Sequence, residues 1–311
     1  MKGVSRMNDV MIIANPSSGQ KQSEEYAGYV QDYYKKKNKS VTLNFTEKLE
    51  DIGAYAKKAS EDHYKTIIVL GGDGTISELA NSLKDNDYRP EIGIIPTGTA
   101  NNIANGLNIP SNLNRAVESL DYSHPQKTDA GLINDRIFMS SVSAGTITES
   151  AWQVTKEQKE SYGAAAYFIE GLKSLRNEDS YRFKLIIDGK TIEADLNVLL
   201  VGVSDSIIGI DGFFDSARYN DGKLHLFGLK SSTLSEKLTI LPSIFRNENE
   251  FNKNQDLAFT MPFEEAEIHL KEKVAHLAMD GEKGPDFPVD IKVLPGYFTF
   301  LVPEEKTGLF S

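Results

Sequence analysis

The chain has 311 residues, enough for two domains of ordinary size, and 40% hydrophobic and 25% charged residues are typical of a globular protein. It contains no cysteine, which excludes disulfides and thiolate metal sites and fits a reducing cytoplasm. The net charge of −11 argues against nucleic acid as the main partner and gives no general attraction to an anionic membrane.

The first half of the sequence alternates between predicted strands and helices. Met1–Arg6 lack the apolar core of a signal peptide, and no later apolar run is long enough to span a bilayer. Apolar runs predict strands, and apolar residues three and four apart predict helices. The strands are Val10–Ala14, Val41–Phe45, Thr66–Leu70 and Ile92–Ile95; the helices are Glu24–Lys37, Leu49–Ala59, Ile76–Leu83 and Leu113–Leu120. This alternation predicts a parallel α/β sheet through about residue 125.

Polar or glycine-rich turns follow these strands directly, at Asn15–Gly19, Thr46, Gly71–Thr75 and Thr97–Thr99. Ligands of parallel sheets bind at the carboxyl ends of the strands, so we expect the turns to converge on one edge.

The turn Gly71-Gly72-Asp73-Gly74-Thr75 lies between a predicted strand and a predicted helix. The free N–H groups at the start of a helix suit an anion, most simply a phosphate. Asp73 would repel that phosphate, and the conflict is resolved if a divalent cation lies between them.

The hydrophobic period changes after about Asp129. Tyr181–Ile187 alternates with polar residues, and Asp188-Gly189 predicts a two-residue hairpin turn into a second strand. Further strands are predicted at Leu224–Leu229, Ala266–Leu270, Val289–Leu294 and Tyr297–Val302, and a helical insertion at Ala151–Leu175. The sequence therefore predicts an α/β domain over residues 1–129 and a mostly antiparallel β domain over 130–311; whether the last residues pack back on the first domain stays open.

Motifs in both halves resemble those of the diacylglycerol kinase catalytic-domain family, in its bacterial lipid kinase branch, with sphingosine kinases as more distant relatives. The GGDGT turn alone is shared with NAD kinases and phosphofructokinases, so the resemblance depends on the ordered set. That set is Asn15-Pro16 with Gly19, Gly71–Thr75 with Glu78 and Asn81, Pro96–Asn101, Asp129, Asp221–Leu224 and Asp280–Glu282.

The resemblance implies an amino-terminal nucleotide domain, a carboxy-terminal β-sandwich and a cleft between them. It also implies Mg²⁺-dependent transfer of the ATP γ-phosphoryl group to a lipid hydroxyl, most directly that of diacylglycerol or a related lipid.

Roles for individual residues follow from the resemblance. Glu282 is expected to be the general base on the acceptor hydroxyl, and Asp73 and Asp129 to belong to an aspartate–water–magnesium network. A structural Mg²⁺ is expected at the backbone carbonyls of Arg218 and Lys223 and the carboxylate of Asp221. The expected ATP site comprises Asn15, Pro16, Ser17, Ser18, Gly19, Thr46, Gly71, Gly72, Gly74, Thr75, Glu78 and Thr99.

Two features depart from the family pattern. Asn102 stands where the family usually has Asp, which keeps hydrogen bonding but removes a negative charge from the magnesium network. The stretch Phe213–Ala217 lacks the proline that often precedes the structural metal site.

Simpler structural explanations stand beside these roles. Asp280-Gly281-Glu282 is also typical of an ordinary hairpin turn with a surface carboxylate, and Asp221-Gly222 of a plain turn. The histidines show no metal-ligand spacing. Aromatic residues could line a lipid channel but more often pack in a core; they are Trp152, Tyr162, Tyr167, Phe168, Phe213 and Phe214.

The main hypothesis is therefore an ATP- and Mg²⁺-dependent lipid kinase that is cytoplasmic and acts transiently on its lipid substrate at the inner face of the membrane. The alternatives are an NAD kinase-like enzyme and a nucleotide- or lipid-sensing protein with weakened catalysis, which Asn102 keeps open. The acceptor lipid cannot be read from composition, and homodimer formation is also open.

Overall fold

A computed structural model describes residues 9–16, 22–145, 180–207, 213–214, 217–231, 257–271 and 277–304. The chain divides into two compact units, one of Met1–Thr128 with Gly296–Ser311 and the other of Asp129–Pro295. The predicted insertion at Ala151–Leu175 lies outside the described residues, and so do its aromatic side chains.

The first unit contains a parallel sheet in the strand order β2-β1-β3-β4, and helices connect its strands. The strands are β1 (Val10–Ala14), β2 (Val41–Phe45), β3 (Thr66–Gly71) and β4 (Glu91–Pro96). The helices are α1 (Gln22–Lys36), α2 (Leu49–Glu61), α3 (Asp73–Leu83), α4 (Asn102–Gly106) and α5 (Leu113–Ser119). The predicted parallel α/β architecture is confirmed; α4 was not predicted, because its five residues are too few to show a helical period.

The core of this unit follows from its apolar runs. Every residue of β1 and β3 is buried, as expected of strands covered on both faces. Helix α2 buries Ile52, Ala56 and Ala59 along one face, which is the stripe that the sequence period predicts.

The second unit is a largely antiparallel β structure, as predicted. Two strands begin in one unit and end in the other along the chain: β5 (Ser123–Ile133) and β15 (Val289–Pro303). The others are β6 (Arg136–Phe138), β7 (Ser141–Gly145), β8 (Tyr181–Ile187), β9 (Lys190–Gly202), β10 (Leu224–Lys230), β11 (Ala258–Phe263), β12 (Glu265–Leu270), β13 (Leu277–Met279) and β14 (Glu282–Lys283). Within the unit, antiparallel pairing gives the order β14-β13-β7-β9-β8-β12-β15, and β10 joins β9 to β11.

The strand prediction differs from the structure in two ways: two predicted strands are one, and six strands were not predicted, namely β5, β6, β7, β11, β13 and β14. The predicted strands Val289–Leu294 and Tyr297–Val302 form one strand, β15, which continues through Gly296 at a positive φ of 55°. Its later part lies beside β4, with Phe300 opposite Ile92, so residues from Gly296 onward belong to the first unit. Strand β11 was missed because Pro262 interrupts its pattern; proline is tolerated there because, among the described strands, β11 pairs with β10 alone.

Aromatic side chains fill part of the core of the second unit. Phe213 and Phe214 are buried, and the Phe213 ring lies 5.1 Å from that of Phe214 and 5.2 Å from that of Phe227. This edge-on packing favours the core explanation for the phenylalanine pair over a lipid channel. In the part of the chain that the structure describes, no helix has the length and apolarity needed to cross a membrane.

Candidate functional site

In the first unit, the turns after the parallel strands lie along one edge of the sheet. The register pairs Ala14 with both Phe45 and Leu70, so the carboxyl ends of β1, β2 and β3 are level. Backbone hydrogen bonds extend this alignment by one residue: the N–H of Thr46 donates to Ala14 O (3.0 Å) and that of Asn15 to Leu70 O (3.2 Å). The turns that the sequence predicted to converge are therefore neighbours.

The turn after β3 touches the turn after β4 backbone to backbone. A Cβ on Gly72 would lie 2.9 Å from the Cα of Gly98, and a Cβ on Gly98 would lie 2.5 Å from the Cα of Gly72. Asn101, at a positive φ of 52°, shapes the second turn: its Oδ1 accepts from Gly98 N–H (3.0 Å) and its Nδ2 donates to Gly98 O (2.9 Å). Only glycine permits so close an approach at positions 72 and 98.

The start of α3 is suited to an anionic ligand. Its N-cap is Gly72, which has no side chain that could occupy the first N–H groups of the helix. Gly72, Asp73 and Gly74 are half-buried, so this backbone is not enclosed in the core. A phosphate group fits the chemistry of such a turn.

The Asp73 carboxylate accepts hydrogen bonds from the start of α4. Its Oδ2 accepts from the backbone N–H of Asn102 (3.1 Å) and from the side-chain Nδ2 of Asn102 (3.3 Å). Its Oδ1 accepts from the N–H of Ile103 (3.0 Å). The sequence indicated that Asn102 keeps hydrogen bonding but not that its partner is Asp73.

One half-buried carboxylate beside a glycine turn fits a Mg²⁺ ion that phosphate oxygens also hold, since Mg²⁺ commonly binds through one or two carboxylates plus substrate phosphates. Among the described residues, no three acidic or histidine side chains are grouped to hold a metal ion on their own. The fit at Asp73 is therefore to a metal–nucleotide complex.

The other predicted nucleotide-site residues occupy varied positions in the first unit. Thr46 and Thr75 are buried, Asn15 and Pro16 are half-buried, and Thr99 is exposed. Ser17, Ser18 and Gly19 lie outside the described residues, Gly71 is the last residue of β3, and Gly74 lies in the first turn of α3.

The carboxylate of Glu78 lies between its own helix α3 and helix α2. Its Oε1 accepts from Ser82 Oγ (3.1 Å) and would lie 3.1 Å from a Cβ on Gly53 of α2. A role of Glu78 in nucleotide binding stays a prediction.

The start of helix α2, just after Thr46, is capped by the carboxylate of Asp51. Asp51 Oδ2 accepts from the N–H groups of Glu47 (2.8 Å) and Lys48 (3.1 Å), and these bonds hold the pKa of Asp51 below its usual value. These bonds hold the backbone that follows Thr46 in place at this edge of the sheet.

In the second unit, Asp129 is joined to the turn that carries Asp221. Asp129 is 2% exposed, and its Oδ2 accepts from the N–H of Gly222 (2.7 Å) while its own N–H donates to Tyr219 O. The sequence placed these two aspartates in separate metal sites and missed the bond between Asp129 and the turn.

Asp221 closes its turn through hydrogen bonds. Its Oδ2 accepts from Arg218 N–H (3.0 Å) and lies 2.8 Å from Nε2 of the buried His225, and its Oδ1 accepts from Lys223 N–H (2.9 Å). His225, four residues after Asp221, is a contact that the Asp-x-x-x-His spacing could have indicated. The side chain of Lys223 pairs with Glu264, which raises the pKa of the Lys223 ammonium.

These contacts limit the fit of a structural metal. Mg²⁺ takes about six oxygen ligands, several of them usually water, and the predicted set offers two carbonyls and a carboxylate that already accepts two N–H bonds. The carbonyl of Arg218 also accepts from Asp221 N–H (3.4 Å). A structural magnesium ion at Arg218, Asp221 and Lys223 stays a prediction.

The Asp280-Gly281 turn joins β13 to β14, with φ of 49° and 85°. The Asp280 carboxylate accepts from consecutive N–H groups: Oδ2 from Met139 (2.8 Å), and Oδ1 from Ser140 (2.8 Å) and Ser141 (3.0 Å). Glu282 directly after the turn is exposed. The hairpin geometry is therefore present, and Asp280, to which the sequence assigned no role, anchors it.

Comparison with known proteins covers both halves of the chain. Residues 9–133 match the diacylglycerol kinase catalytic domain, and residues 140–302 match the YegS C-terminal NAD kinase beta sandwich-like domain. A diacylglycerol kinase of Bacillus subtilis (strain 168) is 28% identical over 96% of this chain and 98% of its own, and one of Staphylococcus carnosus (strain TM300) is 28% identical over 94% and 95%.

A solved structure has the same fold. The crystal structure of a diacylglycerol kinase from Bacillus anthracis strain Sterne matches with a TM-score of 0.81 at 23% identity, covering 96% of this chain and 98% of that one. The predicted family is confirmed: the chain belongs to the diacylglycerol kinase catalytic domain family, in the branch whose carboxyl-terminal half is a YegS-type beta sandwich-like domain.

Proposed function

We propose that this protein is a lipid kinase that transfers the γ-phosphoryl group of ATP to a lipid hydroxyl, most directly that of diacylglycerol. The observation that carries the proposal is the consecutive match of both units to the two domains of one kinase family. Relatives of nearly full length named diacylglycerol kinase support the lipid acceptor.

The first unit would bind the nucleotide. The N–H groups at the start of α3 would donate to phosphate oxygens, and the close contact of Gly72 with Gly98 would hold that backbone in place. Asn15, Thr46 and Thr99 would extend the ATP site along the same edge. Mg²⁺, when bound with the nucleotide, would offset the phosphate charge beside Asp73.

The second unit would supply the base. We assign this role to Glu282, which would accept the proton of the lipid hydroxyl. The hydroxyl oxygen would then bond to the γ-phosphorus of ATP, and the bond from that phosphorus to the bridging oxygen would break to release ADP. A positioned base typically contributes about 10²–10⁴-fold in rate. The Asp280 bonds would hold the turn from which Glu282 projects.

The test is an acceptor panel. The protein is incubated with γ-labelled ATP, Mg²⁺ and, separately, diacylglycerol, phosphatidylglycerol, a sphingoid base, undecaprenol and NAD. We expect label on a lipid, with diacylglycerol the best acceptor, and loss of labelling in Asp73→Ala. Label on NAD alone would replace the proposal with an NAD kinase-like function, and ATP binding without any labelled acceptor would replace it with a sensor.

A further inference from the structure

The contact between Asp73 and Asn102 joins two turns at the phosphate edge of the first unit. Three N–H groups point to one carboxylate: the backbone N–H groups of Asn102 and Ile103, at 3.1 and 3.0 Å, and the Asn102 side-chain amide at 3.3 Å. The two aspartate oxygens are thereby both engaged, on a half-buried side chain.

The chemistry of the amide fixes its orientation. A carboxylate only accepts hydrogen bonds, whereas a carboxamide has one donating and one accepting end. Its oxygen would be repelled by Asp73, so the nitrogen must face it. Hydrogen bonds of this kind favour the ionised carboxylate, as a nearby cation would.

The backbone gives this contact a local reason. The residue at the N-cap of α4 is Asn101, and its side chain makes no cap hydrogen bond because it is bonded to Gly98 instead. Asp73 accepts the first N–H groups of α4 in its place. The carboxylate is therefore held from the α4 side before any ligand arrives.

We infer that Asn102 is a positioning residue that fixes the Asp73 carboxylate without a free divalent cation, so that the metal ion enters this turn with the nucleotide phosphates. The entry of the metal ion with the nucleotide rests on the proposed function, whereas the contact of Asn102 with Asp73 does not. A carboxylate at position 102 would face Asp73 at hydrogen-bonding distance, and two ionised carboxylates there need a cation or a shared proton between them.

The test compares the free-cation response of nucleotide-free variants. The melting temperature is measured with EDTA and with millimolar MgCl₂, against choline chloride of equal ionic strength to remove screening. Asn105→Asp is the matched control, because it makes the same change on the same short helix, where Asn105 Nδ2 donates to Ala100 O instead (3.2 Å).

We expect Asn102→Asp to be less stable than Asn105→Asp in EDTA and to recover by about 3 °C or more with Mg²⁺ beyond the recovery of that control. Asn102→Ala, which adds no charge, should respond to Mg²⁺ as the wild type does. If Asn102→Asp folds only when Mg²⁺ is present, refolding yield with and without the ion gives the same supporting result.

Equal Mg²⁺ responses in Asn102→Asp and Asn105→Asp would overturn the inference. So would a wild-type response to free Mg²⁺ that Asp73→Asn abolishes, because the native turn would then hold the ion alone. A parallel measurement with Mg²⁺ and ATP on the wild type separates the two proposals: no shift there counts against the kinase, while the free-cation comparison still decides the role of Asn102.

Discussion

Three aspartates of the second unit hold turns through their carboxylates. Asp129, Asp221 and Asp280 each accept from main-chain donors and so shape turns. Glu282 is exposed two residues after Asp280. At the scale of single residues, these three carboxylates shape the backbone, and Glu282 is the residue to which we assign the proton transfer.

Replacement of Glu282 by glutamine should therefore reduce turnover without reducing stability. We expect kcat for lipid phosphorylation to fall by about 10²-fold or more, since the amide cannot accept the hydroxyl proton. KM for ATP and the melting temperature should stay unchanged. Steady-state kinetics and calorimetry measure the three quantities.

Two variants control this experiment. Glu265→Gln removes an exposed carboxylate of the same unit and should leave kcat unchanged. Asp280→Ala should lower the melting temperature, because the N–H groups of Met139, Ser140 and Ser141 lose their acceptor. A Glu282→Gln enzyme as active as the wild type would refute the base assignment.

At the scale of elements, the edge where we propose that the nucleotide binds contains two turns in backbone contact. Strands β3 and β4 pair directly with each other in the parallel sheet, so the turns that follow them meet. The space between Gly72 and Gly98 is too small for a methyl group at either position. A side chain there must push the turns apart.

Gly98→Ala is expected to weaken ATP binding at least tenfold and to lower the urea midpoint of unfolding, because the new Cβ would lie 2.5 Å from the Gly72 backbone. Isothermal titration with ATP and urea denaturation measure the two effects. The control is Gly28→Ala on helix α1, where a Cβ meets nothing within 4 Å. Alanine is favoured over glycine in helices, so this control should be neutral or stabilising; tight ATP binding by Gly98→Ala would contradict the proposed role of the contact.

At the scale of the whole molecule, the net charge of −11 opposes an anionic membrane surface. We expect turnover on diacylglycerol in phosphatidylcholine vesicles to exceed turnover in vesicles that also contain phosphatidylglycerol, at low ionic strength. Added salt should shrink the difference as the screening length falls from about 30 Å at 0.01 M to about 10 Å at 0.1 M. Faster turnover on the anionic vesicles would show that a local basic surface outweighs the net charge.

The regular parts of this fold could be predicted because buried elements leave a period in the sequence. The apolar runs of β1 and β3 identified strands covered on both faces, and the apolar stripe of α2 identified its buried face. The period fails where elements are short or interrupted, as in α4 and in β11 with its Pro262.

The sequence by itself determined the family, the alternation of elements and the residues of the motif turns, because these depend on residue type and local spacing. Only the tertiary structure decided what those residues contact. Asp73 meets Asn102 across 29 positions, Asp129 meets Gly222 across 93, and Asp280 meets Ser140 across 140. Such bonds follow from strand register and turn geometry, which bring distant residues together without leaving a local period. The contact that a hydrogen-bond donor at position 102 makes with Asp73 is visible only in the tertiary structure.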